Sequence, residues 1–339
     1  MKVDTCLGAR IILALAFLAM TAPLRAADKP ISVDVALGDV SINKVPFLIA
    51  ADAGVYAKYG LDVHQFITPG AAAVARNSGV VVPADYVRAA RGAPIEVGGG
   101  APMMYGAVSG GGPVRYVIVS TSEPFVHDHF VAVSGINGVA DLKGKRLGYS
   151  STGTVTHFAT LAFVKKMGWV AGKDVTLVPH AGTLGDLKDG KVDALLGSAM
   201  VFAMAPEQNF HDIADLSSYR IPLAGSGIMA DRAWMAENRD TVMRFLKAGI
   251  EATALMKRDR KVFDAALARW FNIHDRATQD GMYAVVAKFP AKPYPSVDGI
   301  TAVIATYDIP AMRAHKAEDF YDSSLMAELD KSGFLDRQK

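Results

Sequence analysis

The sequence is almost without cysteine: its 339 residues contain one, Cys6. Any product that lacks the first few residues therefore has no disulfide, no thiolate metal site and no cysteine nucleophile. An excess of one charge is also missing, because 36 lysines and arginines oppose 34 aspartates and glutamates. With no basic cluster to hold a phosphate backbone, we expect no nucleic-acid partner.

Common catalytic motifs are missing as well. The chain has neither the GxSxG of the α/β-hydrolases nor the HExxH of the zinc proteases. His127 and His129 stand two positions apart, but no third ligand follows at a known zinc spacing, so we interpret them as polar residues of a strand between lobes. We expect no metal site, no cofactor and no enzyme activity.

Residues 11–20 form the one long apolar run near the start of the chain. Lys2 and Arg10 precede it, and Pro23 follows it among small residues. This order is typical of a secretory signal, and the run is too short to span a bilayer. We expect residues 1–27 to be cleaved and the remaining chain, in which acids and bases balance, to be periplasmic. Cys6 precedes the run rather than following it, so we expect no lipid anchor.

The next segments alternate between strand and helix patterns. Residues 31–37 alternate apolar and polar side chains, a helix is predicted for residues 46–60 with Pro46 in its first turn, and residues 61–66 form a second strand. The same order returns with a strand at 144–149, a helix at 155–167 and a strand at 174–179. Two such units predict an α/β protein with two lobes of related build.

A second correspondence links residues 86–102 with residues 184–200. Each reads as helix, glycine, strand, small-residue loop and helix start, with Gly92 matching Gly190 and Glu96 matching Asp193. The final third of the chain is helical by its apolar spacing. We expect it to complete the first lobe, with helices at 237–257, 262–271, 277–289, 296–307 and 323–332.

Candidate binding groups lie where strands lead into helices. A helix start offers free amides and partial positive charge to an anionic or carbonyl oxygen. Four loops qualify: residues 38–45, 98–102, 150–154 and 197–200. The hydroxyl-rich loop at 150–154 is the sharpest signal, although its serines and threonines could equally be ordinary helix caps. His157 could face a ligand or solvent.

Several stretches resemble a known family. They are VPFLIAADAGVYAKYGLDV (45–63), VADLKGKRLGYSSTGTVTHF (139–158), LKDGKVDALLGS (187–198) and MAENRDTVMRFLKAGIEA (235–252). In this order they resemble the periplasmic solute-binding proteins of nitrate/sulfonate/taurine-type ABC importers, a family that includes binders of thiamine-pyrimidine precursors. The family's first-lobe pattern is altered here, with ARGAPIEVGGG (90–100) and an insertion-like stretch at 77–83.

The resemblance implies a type II periplasmic-binding-protein fold, with two α/β lobes, two crossover strands and a ligand cleft between the lobes. Mapped onto this chain, lobe I is 28–123 plus 222–339 and lobe II is 124–221. The implied partners are a small organic solute and an inner-membrane ABC permease, and we expect a monomer. The expected ligand-binding residues are Asp39, Ser41, Asn43, Phe47, Gly99, Gly100, Ala101, Met103, Ser151, Thr152, Thr154, His157, Gly197, Ser198 and Ala199. We expect apolar contacts from Phe47 and from Met103 or, in its place, Met200.

Two other functions remain open from the sequence. A periplasmic sensor would present the bound ligand to a membrane receptor instead of a permease. An enzyme on the same fold, similar to the thiamine-pyrimidine synthase, is disfavoured because that relative depends on a cysteine-rich iron site. The solute itself stays undefined. Since Lys44 is the one cation in the four loops, a weakly charged or neutral-headed solute fits better than a small dianion.

Overall fold

The computed structural model describes residue 1 and residues 29–39, 41–77, 80–89, 92–197, 199–307 and 309–338. The predicted signal segment after residue 1, Ser198 and part of the insertion-like stretch at 77–83 lie outside the described residues, as do the side chains of Ala199 and Met200.

The first sheet has five strands in the order β2-β1-β3-β10-β4. Strand β1 pairs in parallel with β2 and β3, whereas β10 runs antiparallel to both β3 and β4. The inward side chains of β1 are fully or almost fully buried, as the alternating pattern predicts. The strands are β1 (Ile31–Leu37), β2 (Leu61–Phe66), β3 (Ile95–Gly99), β4 (Tyr116–Thr121) and β10 (Ser226–Asp231).

The second sheet repeats this plan in the order β7-β6-β8-β5-β9. Strand β6 pairs in parallel with β7 and β8, and β5 runs antiparallel to β8 and β9. Strand β5 occupies the position in the second sheet that β10 occupies in the first, so the two sheets share one topology. The strands are β5 (His129–Ala132), β6 (Arg146–Gly148), β7 (Thr176–Val178), β8 (Ala194–Gly197) and β9 (His211–Asp215).

Fourteen helices among the described residues cover the two sheets. They are α1 (Val45–Asp52), α2 (Val55–Lys58), α3 (Pro69–Asn77), α4 (Gly100–Ser109), α5 (Val155–Lys166), α6 (Leu184–Lys188), α7 (Ala199–Met204), α8 (Arg232–Glu237), α9 (Arg239–Arg258), α10 (Arg260–Phe271), α11 (Arg276–Val286), α12 (Val297–Tyr307), α13 (Pro310–Arg313) and α14 (Ser324–Lys331). Short 3-10 turns join several of them, including one at Ile42–Lys44.

Two predicted helices differ from the structure. The helix expected at 46–60 is interrupted after α1, because Gly54 adopts a left-handed conformation (φ 67°) from which α2 begins. No helix occupies the described part of 86–92; a 3-10 turn ends at Tyr86, and Val87 pairs with Ile67 instead. The matching segment at 184–200 does have the predicted order of helix, strand and helix start.

The chain passes between the sheets twice. The two passages run side by side: Phe125 pairs with Pro222, the amide of Val126 donates to Ile221 O (2.9 Å), and the amide of Leu223 donates to Pro124 O (2.9 Å). The C-terminal helices return to the first sheet, where the amide of Ile118 donates to Phe320 O (2.8 Å). Helix α12 also contacts α5, which follows a strand of the second sheet.

The described helices include none that is both long enough and apolar enough to cross a membrane.

Candidate functional site

The loop after β1 carries a network of polar side chains. Ser41 Oγ lies within hydrogen-bond distance of Asp39 Oδ1 (2.6 Å) and Asn43 Oδ1 (2.8 Å), and its single proton is donated to one of them at a time. Lys44 has only 1 % of its side chain exposed, and its ammonium donates to Asn43 Oδ1 (2.6 Å) and pairs with Asp39 Oδ1 (3.0 Å). Contacts among its own side chains therefore fix the conformation of this loop. The side chain of Asp39 is 59 % exposed, whereas the ammonium of Lys44 is buried.

This network continues onto the passages between the sheets through Glu123. The buried carboxylate of Glu123 accepts from Asn43 Nδ2 (3.0 Å) and from the amide of Ser226 (3.1 Å), and it pairs with His127 Nε2 (3.1 Å). Lys44 Nζ also donates to Ser226 Oγ (3.0 Å). We call this group the Glu123 cluster; its members are Asp39, Ser41, Asn43, Lys44, Glu123, His127 and Ser226.

The cluster holds opposite charges in place. Burial alone would raise the pKa of Glu123, but the hydrogen bond and charge of His127, with the charge of Lys44, hold it below its ordinary value. Burial alone would lower the pKa of His127, and Glu123 instead raises it to about 9. Both groups are therefore charged at neutral pH, at the point where the chain crosses between the sheets.

The helix start after β3 differs from the expectation of free amides. The amide of Gly100 donates to Gly225 O (2.9 Å) and that of Ala101 to Ala224 O (2.9 Å). Both amides therefore already donate to carbonyl oxygens of the segment before β10 and are not free for a ligand. A side chain at Gly99 would overlap Val155 of α5, so this loop lies directly against the opposite helix.

The hydroxyl-rich loop before α5 folds around Thr154. As the helix cap, Thr154 Oγ1 accepts from the amide of His157 (3.3 Å), and it donates to Ser151 O (2.6 Å). Ser150 Oγ donates to Thr154 Oγ1 (3.0 Å). Thr154 is therefore an ordinary helix cap, which the sequence left open as an alternative to ligand binding. The side chain of Thr152, in contrast, is exposed.

His157 is buried among aromatic rings. Its ring stacks on Tyr149 (centroids 4.6 Å apart) and lies 5.4 Å from Tyr307, which in turn packs against Tyr105 (4.9 Å). Burial lowers the pKa of His157. Because Nδ1 accepts from the amide of Gly153 (3.1 Å), the neutral ring carries its proton on Nε2, which can donate to a ligand.

These rings join α4 and α12 to α5. Tyr307 Oη donates to Thr154 O (3.2 Å), and a Cβ at Gly153 would overlap the ring of Tyr105. Gly153 has φ +85°, a conformation that suits glycine. The structure therefore brings the two sheets' helices into close contact on this side.

The remaining expected residues that the structure describes have other neighbours. Phe47 is buried in the hydrophobic core beside the first sheet, where it stacks on Phe245 (centroids 5.9 Å apart). It also lines a cavity that is described below. Met103 is half-buried against the second core. Gly197 ends β8, where a side chain would overlap Val201, and the backbone of Ala199 begins α7.

The expected residues thus form two contact groups, one around Asp39, Ser41 and Asn43 and the other around Ser151, Thr154 and His157. The sequence reasoning missed Glu123, Ser226 and the three tyrosines, which come from distant segments. It noted Lys44 and His127 without connecting them. Among the described residues, no group of three potential metal ligands comes together.

Comparison with protein families gives one match. The family model described as NMT1/THI5 like matches residues 41–260, about two thirds of the chain. That range contains both contact groups except Asp39 and Tyr307. A search of curated protein sequences found no match to this chain.

Solved structures share the architecture at low sequence identity. The alkanesulfonate-binding protein SsuA from Xanthomonas axonopodis pv. citri, bound to MOPS, is 18 % identical with a TM-score of 0.61, and the match covers 89 % of this chain and 98 % of that one. The periplasmic aliphatic sulphonate-binding protein SsuA from Escherichia coli is 17 % identical (TM-score 0.63; 86 % and 99 % covered). The periplasmic nitrate-binding protein NrtA from Synechocystis PCC 6803 is 12 % identical (TM-score 0.67; 90 % and 89 %). These likenesses confirm the expected type II periplasmic-binding-protein fold.

Proposed function

The chain belongs to the NMT1/THI5-like family, and from that premise we propose that it is the periplasmic solute-binding component of an ABC importer. The observation that carries the proposal is the pairing of two sheets of one topology, joined by two adjacent passages, with polar loops at the strand ends of each. Such folds capture a ligand by closing one lobe on the other. The sulfonate- and nitrate-binding proteins with the same fold support this assignment.

We further propose that lobe I is residues 28–123 plus 222–339, and that lobe II is residues 124–221. The paired residues Phe125 and Pro222 then form the hinge. Residues 1–27 are the signal that directs the chain to the periplasm. In this arrangement the Glu123 cluster crosses the boundary between the lobes, because His127 lies in lobe II and the other members lie in lobe I. The hydroxyl-rich loop with His157 belongs to lobe II.

The solute is held by dipoles and hydroxyls rather than by a strong cation. The ammonium of Lys44 is already engaged by Asp39, Asn43 and Ser226, so it has little left to offer a small dianion. In lobe II the side chain of Thr152 is exposed, and the Gly153 amide bonds Nδ1 of His157, which leaves the proton on Nε2 as the donor of that ring. This supports a small organic solute with a weakly charged or neutral head.

The protein delivers this solute unchanged to an inner-membrane permease and acts as a monomer. Among the alternatives, a sensor would share the same binding step and differ only in the receptor. Binding without conversion is the step that both have in common, and it can be tested directly.

We expect one solute class to raise the melting temperature of the protein lacking residues 1–27. A ligand present at 100 times its dissociation constant adds about 2.7 kcal/mol to the free energy of unfolding, which corresponds to a shift of several degrees. The measurement is differential scanning fluorimetry with sulfonates, nitrate, carboxylates and pyrimidines. The recovered solute is then checked by NMR and should be unchanged.

Thr152→Val supplies the matched site variant, because its exposed side chain can be altered without disturbing a packed core. It should reduce the shift, whereas Thr176→Val, at an exposed position of β7, should leave it intact. No shift with any class, or conversion of the solute, would contradict the proposal.

A further inference from the structure

A cavity of about 310 Å³ lies beside the first sheet. It is partly open to solvent and is bounded by the start of α1, the ends of β4 and β10 that meet the passages, helix α9 and the turn after α11. Its lining residues are Asn43, Pro46, Phe47, Ser120, Ser122, Gly227, Ile228, Gly249, Ile250, Thr253, Ala254, Lys257, Arg258, Phe289, Pro290, Ala291, Pro293 and Gln338.

This cavity is separate from the contact between the sheets. All of its lining residues lie before position 123 or after position 226, and none of the described residues 124–221 contributes to it. The aromatic group around His157 is also absent from that lining. A molecule in the cavity would therefore touch one lobe only, with Asn43 as the single residue shared with the Glu123 cluster. Asn43 and Phe47 are also among the ligand-binding residues that the family resemblance implies.

The walls suit an apolar body. Phe47, Ile228 and Phe289 supply aromatic and branched surface, and prolines supply much of the rest. The volume lies at the lower end of the range for small-molecule sites, roughly 300–1,000 Å³. A single ring or short chain with a compact head group is therefore the right size.

One end of the cavity is cationic. Lys257 is half-buried, and its ammonium donates to the carbonyl oxygen of Phe289, which leaves further N–H donors for another partner. Arg258 lines the same cavity and is exposed. No aspartate or glutamate occurs among the lining residues that the structure describes; outside the lining, Glu251 interacts electrostatically with Arg258.

Burial lowers the pKa of Lys257. That direction is expected of an ammonium that has been partly removed from water and has only a neutral oxygen nearby. A bound anion would restore the missing counter-charge. Three hydroxyl groups also line the wall, on Ser120, Ser122 and Thr253. Ser122 Oγ donates to Ser226 O and Thr253 Oγ1 donates to Gly249 O, so the cations are the main donors for an anion.

We infer that this cavity is a second small-molecule site, which binds an amphiphilic carboxylate with its apolar body against Phe47, Ile228 and Phe289 and its carboxylate at Lys257 and Arg258. The inference goes beyond capture between the lobes, because the ligand is held within lobe I and needs no closure.

The test uses phenylacetate as the probe and its uncharged isostere phenylacetamide as the matched ligand, with isothermal titration calorimetry of the protein lacking residues 1–27. We expect phenylacetate to bind, and phenylacetamide to bind at least about tenfold more weakly, because a charge-assisted hydrogen bond is lost. Lys257→Met should weaken phenylacetate to a similar degree, and Ala254→Leu, which fills the cavity, should abolish binding.

Lys247→Met is the control, since Lys247 lies on the same helix but packs over Phe334 outside the cavity lining. It should leave phenylacetate binding unchanged. Absence of phenylacetate binding to the wild type, or equal binding of acid and amide, would overturn the inference. So would unchanged binding in Lys257→Met while that variant keeps the wild-type melting temperature.

The two proposed sites can be tested independently of each other. Thr152→Val should not affect phenylacetate, and Lys257→Met should not affect the thermal shift given by a solute captured between the lobes. If Thr152→Val does weaken phenylacetate while Lys257→Met does not, the probe binds between the lobes. That result would refute the cavity site and leave the proposed function standing.

Discussion

Replacing Glu123 with alanine is expected to lower the free energy of unfolding by about 3–5 kcal/mol. The buried carboxylate accepts hydrogen bonds from Asn43 Nδ2 and from the amide of Ser226, and it pairs with the ring of His127. Its removal leaves the two neutral donors without this acceptor and His127 without its counter-charge. Urea unfolding followed by circular dichroism measures the loss.

Glu123→Gln separates charge from shape. It keeps an oxygen acceptor at the same place and should lose less than the alanine variant, and it serves as the measurement if alanine prevents folding. Glu237→Ala, at an exposed carboxylate at the end of α8, is the control and should stay within about 0.5 kcal/mol of wild type. A loss below about 1 kcal/mol in Glu123→Ala would show that the Glu123 cluster contributes little to the stability of the fold.

The pH dependence of the same variants tests the ion pair. Because the folded pKa of His127, about 9, exceeds its ordinary 6.5, its contribution to stability is complete below pH 6.5 and is lost as the pH rises through 9. That contribution is about 3 kcal/mol. The wild type should therefore lose stability over this interval, and Glu123→Gln should lose much less. Equal slopes would contradict the pairing.

The second large effect is expected from Gly153→Ala, which should weaken solute binding at least about tenfold. The new Cβ overlaps Tyr105 across the contact between α4 and the loop before α5, and alanine is strained at φ +85°. The overlap opposes the close approach of the two proposed lobes, and the strain destabilises the loop conformation that makes this contact. Titration calorimetry with the solute identified by thermal shift measures the change.

Two variants isolate the contact from the backbone strain. Gly172→Ala introduces alanine at a similar angle, φ +83°, with nothing within 4 Å of the new Cβ. It should destabilise the chain slightly without changing affinity. Adding Tyr105→Ala to Gly153→Ala removes the overlap and should recover part of the binding. Full affinity in Gly153→Ala alone would mean that solute binding does not require this contact.

Local patterns in the sequence were sufficient for most of the fold. The alternation of residues 31–37 and the glycine-bounded helix before Gly168 correspond to β1 and α5, because burial of one face and chain reversal are both local properties. The helix predicted at 46–60 failed at a local detail, the left-handed Gly54, which apolar spacing does not reveal. The helix predicted at 86–92 failed because Val87 pairs with a distant residue, Ile67.

The site was harder to predict because its contacts are not local. The hydroxyl-rich loop was recognised, since cap and helix are adjacent in sequence. Glu123, in contrast, lies 80 residues from Asn43 and 103 from Ser226, and only the crossing of the chain between the sheets brings them together. Tyr307 reaches Thr154 from 153 residues away. Neither Glu123 nor Tyr307 stands in a sequence motif that would identify it as part of a site.

Hydrogen-exchange mass spectrometry with and without the identified solute tests capture between the lobes most directly. We expect the amides of residues 38–45 in lobe I and of residues 150–157 in lobe II to gain protection together, because both loops close on one ligand. Protection confined to a single lobe, including protection limited to residues 249–258 and 289–293, would contradict this account.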